Sequence, residues 1–129
     1  MKELKYAEIT KKIIGAAMKV YATLGKGFQE VIYQRALEIE FVKVGLSFVK
    51  EFSMPIFYDG IKKGERRVDF FVEGMISIEL KAREILKPAH YAQARNYLEA
   101  YNAEVGLLVN FGTISLEFKR LENPKYNPN

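Results

Sequence analysis

Cysteine is absent from this 129-residue chain. Disulfides, zinc–thiolate sites and thiol catalysis are therefore excluded, and a reducing compartment suits the sequence. There is a single histidine, His90, so one chain cannot build a multi-histidine metal site. No apolar run approaches the roughly 20 residues that span a bilayer. The start, Met1-Lys2-Glu3-Leu4-Lys5-Tyr6, lacks the apolar core of a signal peptide. A cytoplasmic protein with no membrane partner is the expectation. Two catalytic patterns are also missing. Gly25-x-Gly27 follows no strand and has no Gly-Lys-Ser/Thr continuation, so it is no phosphate-cradling loop. No serine-hydrolase elbow occurs. Internal repeats and low-complexity segments are absent.

What is present fits one compact domain spanning residues 1–129, with a core at about 8–121. Hydrophobic residues make up 49% and charged residues 28%, which is ordinary for a globular protein. Net charge is +4 and the pI is near 9.2, compatible with a polyanionic partner. The nearest thing to a basic cluster is Lys62-Lys63-Gly64-Glu65-Arg66-Arg67. It reads first as a solvated hairpin turn. Its position just before a candidate site also allows phosphate contact.

Residues 4–24 read as a helix, with Ile9, Ile13, Ala16, Ala17, Val20 and Leu24 at helical spacing. A second helix covers about 28–44, and Gly45 is suited to a left-handed cap. Ser47 to Tyr58 reads as a strand with an irregular middle, where Pro55 argues for an edge or a bulge. Asp59-Gly60 is a strong turn signal. Strands follow at 66–72 and 75–82, joined by a turn at Glu73-Gly74. Pro88 opens a third helix over about 88–102. The almost wholly apolar run 105–110 has the pattern of a buried strand, and 114–121 reads as a last one. The tail 122–129, with two prolines and three asparagines, reads as loose. The passage from Glu79 to Val109 argues for a parallel pair with a crossover helix. The fold class expected is α/β, a mixed sheet flanked by helices.

The candidate chemistry sits in Met75 to Ala82. Alternation puts Ile76, Ile78 and Leu80 on one face, and Ser77, Glu79 and Lys81 on the other. A carboxylate and an ammonium in an otherwise apolar strand call for a partner or a task. Asp69 lies in the preceding strand, at a distance where a hairpin returns it toward Glu79. Two carboxylates and a lysine at one spot suit a hard divalent cation and an activated water. The plainer alternative is a solvated Glu79–Lys81 ion pair, worth little. Its weakness is the flanking sequence, which predicts a mostly covered sheet.

Two helices can contribute. His90, Gln93, Tyr97 and Tyr101 form a stripe on the third helix. Gln93 can bind a phosphate oxygen or a metal-bound water, and Tyr97 can donate a hydrogen bond. Equally, the tyrosines can be core-edge residues and Gln93 solvated. Glu30, early in the second helix, suits the helix dipole or can reach the carboxylates, with Tyr33 one turn on.

Taken together, Gly27-x-x-Glu30-x-x-Tyr33, Arg67-x-Asp69-Phe70-Phe71-Val72, Ile78-Glu79-Leu80-Lys81-Ala82, His90-x-x-Gln93-x-x-x-Tyr97-Leu98 and Gly106-Leu107-Leu108-Val109-Asn110-Phe111 occur in order. In this the chain resembles the GxxExxY proteins of the PD-(D/E)XK nuclease-like superfamily, over about residues 8–121. The resemblance implies a restriction-endonuclease-like αβββαβ core. It implies Asp69 and Glu79 as metal-binding acids, Lys81 as the catalytic lysine, Glu30 as an acid from the preceding helix, and Gln93 and Tyr97 as accessory catalytic residues. Val68 stands where the motif commonly has proline.

The resulting expectation is a Mg²⁺-dependent (or Mn²⁺-dependent) nuclease acting on nucleic acid, with DNA favoured over RNA. Asp69, Glu79 and the Leu80 carbonyl would hold the metal, and Glu30 a second metal or a water. The alternatives are a non-catalytic nucleic-acid-binding module and a protein-interaction module on the same fold. A homodimer would extend the limited surface that a small domain offers a long duplex.

Overall fold

A computed structural model of the chain describes residues 5–128. Leu4, in the expected first helix, and Asn129, in the expected loose tail, lie outside the described residues. The first helix, α1 (Ala7–Leu24), buries Ile13, Ala16, Ala17 and Val20, an i, i+3, i+4, i+7 stripe. The second, α2 (Glu30–Lys43), buries Tyr33, Gln34, Leu37 and Phe41. Val31, Ile32 and Ile39, apolar by sequence, instead face outward. The stop after α2 is a Schellman motif. Gly45 N–H donates to Val42 O at 3.1 Å and Leu46 N–H to Phe41 O at 3.0 Å, with Gly45 at φ 77°.

A long hairpin follows, β1 (Phe48–Tyr58) and β2 (Ile61–Val72). Its turn, Asp59-Gly60, has φ of 57° and 76°. Both central residues are positive, as a two-residue type I′ connection requires. β1 is an edge strand, which lets it carry Pro55. The part of the basic segment from Lys62 to Glu65 is strand, not turn, and extends the strand expected from Arg66, because the tight Asp59-Gly60 connection leaves it paired with β1. Next come β3 (Ile76–Lys81), α3 (Pro88–Ala100), β4 (Val105–Asn110) and β5 (Glu117–Glu122). The last strand starts three residues later than its sequence pattern predicts, leaving Ile114 90% exposed in the preceding loop.

The sheet order is β1-β2-β3-β4-β5, with β3 and β4 parallel and the other pairs antiparallel. This is the mixed α/β sheet expected. Under α1 and α2 lies the larger core, containing Phe70, Ile76, Ile78, Leu80, Val109 and Phe111. Under α3 lies a smaller one of Met54, Val68, Leu98, Tyr101, Ala103 and Leu121. The stretch after β5 departs from the loose tail expected. Asn123 is buried and donates its amide to the carbonyls of Leu98 and Ala103 at 3.3 and 2.9 Å. Lys125 pairs with Glu99 at 3.3 Å. Leu98 O, in the last turn of α3, also accepts the Ala103 N–H at 3.0 Å, and the asparagine amide adds a donor there and at Ala103 O just beyond the helix.

Candidate active site

The site begins with an irregularity in β2. Val68 packs in the core under α3, while Phe70 packs in the core under α1 and α2. Residues two apart on a regular strand share a face, so the strand turns over at Asp69. β1 does the same opposite it. The ladder pairs Lys50 with Phe70 and Phe52 with Val68, skipping Glu51, whose φ is 51°. The β2–β3 ladder stops at Phe70 and Ile78. Where its next rung would fall, the Asp69 carboxylate accepts the Leu80 N–H at 2.7 Å. Asp69 is thereby tied sideways to β3 rather than pointing above or below the sheet.

β3 keeps its alternation. Ile76, Ile78 and Leu80 enter the larger core. Ser77 faces α3, 3.4 Å from the Tyr101 hydroxyl. Glu79 faces the same way and meets Arg66 of β2, with Oε2 3.2 Å from the guanidinium. The Arg66 guanidinium in turn lies over the Tyr97 ring, 4.7 Å from its centroid, within cation–π range. Glu79 Oε1 is buried and has no partner among the described residues. Burial pushes the Glu79 carboxyl up to about 7; Arg66 and Lys81 oppose the shift and Asp69 reinforces it. Burial also raises Asp69, against the Leu80 N–H that stabilises its charge, and Glu30 raises it further. Lys81 is half-buried, and its ammonium has no hydrogen bond or ion pair among the described residues. Its charge favours ionisation of both acids.

The structure thus brings Asp69, Glu79 and Lys81 into one electrostatic neighbourhood. Tyr97 joins it through Arg66. Gln93 is exposed and bonds to nothing among the described residues. Glu30 is the exposed first residue of α2. Among the described residues, no three acidic or histidine side chains converge on one point. Tyr33 has a structural task. Its buried hydroxyl donates to Gly25 O at 2.6 Å and accepts the Phe28 N–H at 3.2 Å, and its ring stacks on Phe111 at 4.3 Å. His90 caps α3, its Nδ1 accepting the Lys87 N–H at 2.9 Å.

Two residues without a role in the sequence reading stand out. Arg66 reads as the first residue of a strand and the end of a basic segment; in the structure it shares a face with Val68 and points at Glu79. Asn110, wholly buried at the end of β4, clasps the chain just beyond Lys81. Its Oδ1 accepts the N–H groups of Arg83 and Gly112 at 2.9 and 3.1 Å, and its Nδ2 donates to Arg83 O at 2.8 Å. Gly112 must lack a side chain, because a Cβ there would stand 2.3 Å from Arg83 N. A polar residue closing an otherwise apolar strand was the available signal for Asn110.

A family model for the PD-(D/E)XK nuclease superfamily matches residues 7–121. The chain belongs to the PD-(D/E)XK nuclease superfamily. The superfamily's lettering fits Asp69 followed by Glu79-Leu80-Lys81, with Leu80 at X. The crystal structure of SSO0001 superposes on 93% of this PD-(D/E)XK chain, with a TM-score of 0.55 and 20% identity. That of an alkaline exonuclease (LHK-Exo) from Laribacter hongkongensis does so over 94%, with a TM-score of 0.51 and 10% identity. This chain covers 60% of the first and 72% of the second. At such identities these likenesses show the fold. No curated protein matches the sequence.

Proposed function

We propose that the chain is a Mg²⁺- or Mn²⁺-dependent nuclease of the GxxExxY kind, hydrolysing phosphodiester bonds in nucleic acid, with DNA favoured over RNA, in the cytoplasm. The observation that carries this reading is the Glu79 carboxylate. One of its oxygens is buried without a partner, beside Asp69 and an unpaired Lys81. A buried, unsatisfied carboxylate oxygen is costly. Oxygen donors of this kind suit a hard divalent cation that keeps several waters.

Asp69 and Glu79 would hold the cation. The Leu80 carbonyl would join them, because a strand residue's N–H and C=O point to the same neighbour and the Leu80 N–H already points to Asp69. When bound, the cation supplies a lowered water pKa and a polarised scissile phosphate. The remaining work belongs to the chain. Lys81 orients the attacking water and offsets the negative charge that grows on the phosphate oxygens. Water adds to phosphorus and gives up a proton to solvent, the P–O bond to the leaving sugar oxygen breaks, and that oxygen takes a proton from solvent. Tyr97 holds Arg66 in place. Gln93, open to solvent, is available to a phosphate oxygen, and Glu30 to a water at the margin. A homodimer would suit a long duplex.

The test is cleavage of single- and double-stranded DNA and RNA with Mg²⁺ or Mn²⁺, beside Lys81→Ala, with circular dichroism confirming the fold of each. Equal rates for wild type and variant on every substrate sink the reading. The Arg66–Glu79 pair favours one rival, a non-catalytic binding module in which the arginine has taken the cation's place. Failure of Mn²⁺ to raise the Tm would favour that rival.

A further inference from the structure

The β1–β2 hairpin outruns the sheet. β2 pairs with β3 only through residues 70–72, whereas its pairing with β1 continues to Ile61. Every residue from Phe57 to Glu65 is exposed. Because β2 runs antiparallel to β3, this free ribbon leaves the sheet at the end of β3 that carries Glu79 and Lys81. It carries large apolar side chains that nothing covers: Phe57 is 55% exposed, Tyr58 74% and Ile61 59%. Beside them stand cations. Lys62 is paired with Glu65. Lys63, left over where the ladder shifts between Ile56 and Phe57, has no ion pair among the described residues, nor has Arg67, further down β2 opposite Ser53; Asp59 at the turn is an acid equally without one.

We infer that this hairpin is an arm that grips a single-stranded stretch of the nucleic acid entering the site. Aromatic rings interleaved with unpaired cations match the two chemistries of such a strand, base π-faces and phosphates. A protein-docking tip would be served by the apolar residues, but leaves Lys63 and Arg67 without a use; those two cations, against the single unpaired acid Asp59 at the turn, favour a polyanion. The tight type I′ turn keeps the ribbon narrow and pre-formed. Its reach is set by strand rise. The eight residues from Asp69 to Ile61 span roughly 26 Å at about 3.3 Å each. At the stacked rise of about 3.4 Å per phosphate this is about seven or eight nucleotides from the scissile bond, and fewer for an unstacked strand. The inference rests on the nuclease reading for the strand's path to the site, and the experiment separates the two.

Binding of fluorescein-labelled oligothymidylate is measured by anisotropy in EDTA, on the full chain. The variants are the doubles Phe57→Ser/Tyr58→Ser and Lys63→Glu/Arg67→Glu, each with unchanged circular dichroism. For a 20-nucleotide strand, each double should weaken binding about tenfold or more. The slope of log K against log salt should fall by about one to two for the charge reversal alone. With a strand of about three nucleotides bound at the site, too short for the tip, wild type and the Phe57→Ser/Tyr58→Ser double should converge. Hydrolysis of bis(p-nitrophenyl) phosphate with Mn²⁺ should be the same in wild type and the Phe57→Ser/Tyr58→Ser double. Undiminished binding of the 20-mer by both doubles overturns the arm, as does a loss confined to duplex; either result leaves the hairpin to a different partner. Arm-dependent binding by a wild type that hydrolyses nothing sustains the arm and removes the nuclease reading.

Discussion

Ile76, Ile78 and Leu80 are almost wholly buried under two helices, while Ser77, Glu79 and Lys81, one residue out of step, lie under one. The two faces of the sheet are built from the same strand by alternation, yet they do different work. The face under α1 and α2 is hydrocarbon, with Phe41, Phe48 and Phe70 meeting edge to face at 5.0–5.6 Å. The face under α3 has a small apolar patch, then Arg66, Glu79 and the end of Lys81. Burying charge is costly unless it is paired, so the second face can carry a site only because the first supplies the stability. The strand turnover at Asp69 joins the two, since it brings the acid of one strand level with the acid of the next.

That division can be broken from either side. Phe41→Ala should produce the largest stability loss, about 3–5 kcal/mol, while the cleavage rate per folded molecule stays near wild type; chemical denaturation and an active-fraction-corrected assay check both. Lys81→Ala should do the reverse. Cleavage should fall by about 3 kcal/mol of barrier, a factor of 100 or more, with the Tm unmoved. If the phenylalanine change lowered the rate per folded molecule as much as the lysine change, the faces would not be separable.

A smaller effect concerns pH. The Glu79 carboxyl titrates near 7 in the folded chain, raised from an ordinary value of 4.5. The folded protein therefore binds more protons than the unfolded one across that window. Metal-free stability should fall as pH rises from about 4.5 to about 7, by about 1–3 kcal/mol, and then level off. Glu79→Gln should flatten the curve. Mn²⁺ should raise the Tm more at pH 8 than at pH 5.5, because the cation binds the ionised form. Melting curves across pH, with and without Mn²⁺, give the answer.

Smaller still is Arg66→Met. Removing a cation beside the acids should tighten Mn²⁺ several-fold, while the metal-free protein loses about 1–2 kcal/mol from a half-buried pair left open. Weaker Mn²⁺ binding in a calorimetric titration would make the arginine a helper rather than a competitor. The smallest effect should be Gln93→Ala, a rise in KM of a few-fold with kcat unchanged. A drop in kcat alone would place Gln93 at the reacting atoms.

Much of this architecture was legible because its signals are local. Period-2 alternation identified the face that carries Glu79, the Asp59-Gly60 and Glu73-Gly74 pairs identified two hairpins, and the apolar run at 105–110 identified a buried strand. What could not be read depends on contacts distant in sequence. Arg66 reads as the first residue of its strand, and only α3, which places Tyr97 over it, shows how it is held against Glu79. Tyr33 sits one turn from Glu30, yet its hydroxyl turns back to Gly25 because the loop between the helices needs a buried donor. Asn123 looks like part of a polar tail, and only the carbonyls ending α3 give it a place. The turnover at Asp69 has no sequence signal of its own, since Val68 and Phe70 are equally apolar.

The Asn110 clasp bears on when the site comes into being. A nascent chain that ends shortly after Lys81 already contains Asp69, Glu79 and the hairpin that links them. It lacks the neighbour that holds β3 in line, because Lys81 pairs with Asn110 and Arg83 is gripped by the same side chain across a 27-residue separation. Contacts this distant along the chain form late, since loop closure precedes any reward. A fragment that ends before β4 is therefore expected to carry the letters of the motif without its geometry, because the neighbour that lines up the end of β3 comes only with the crossover helix and β4.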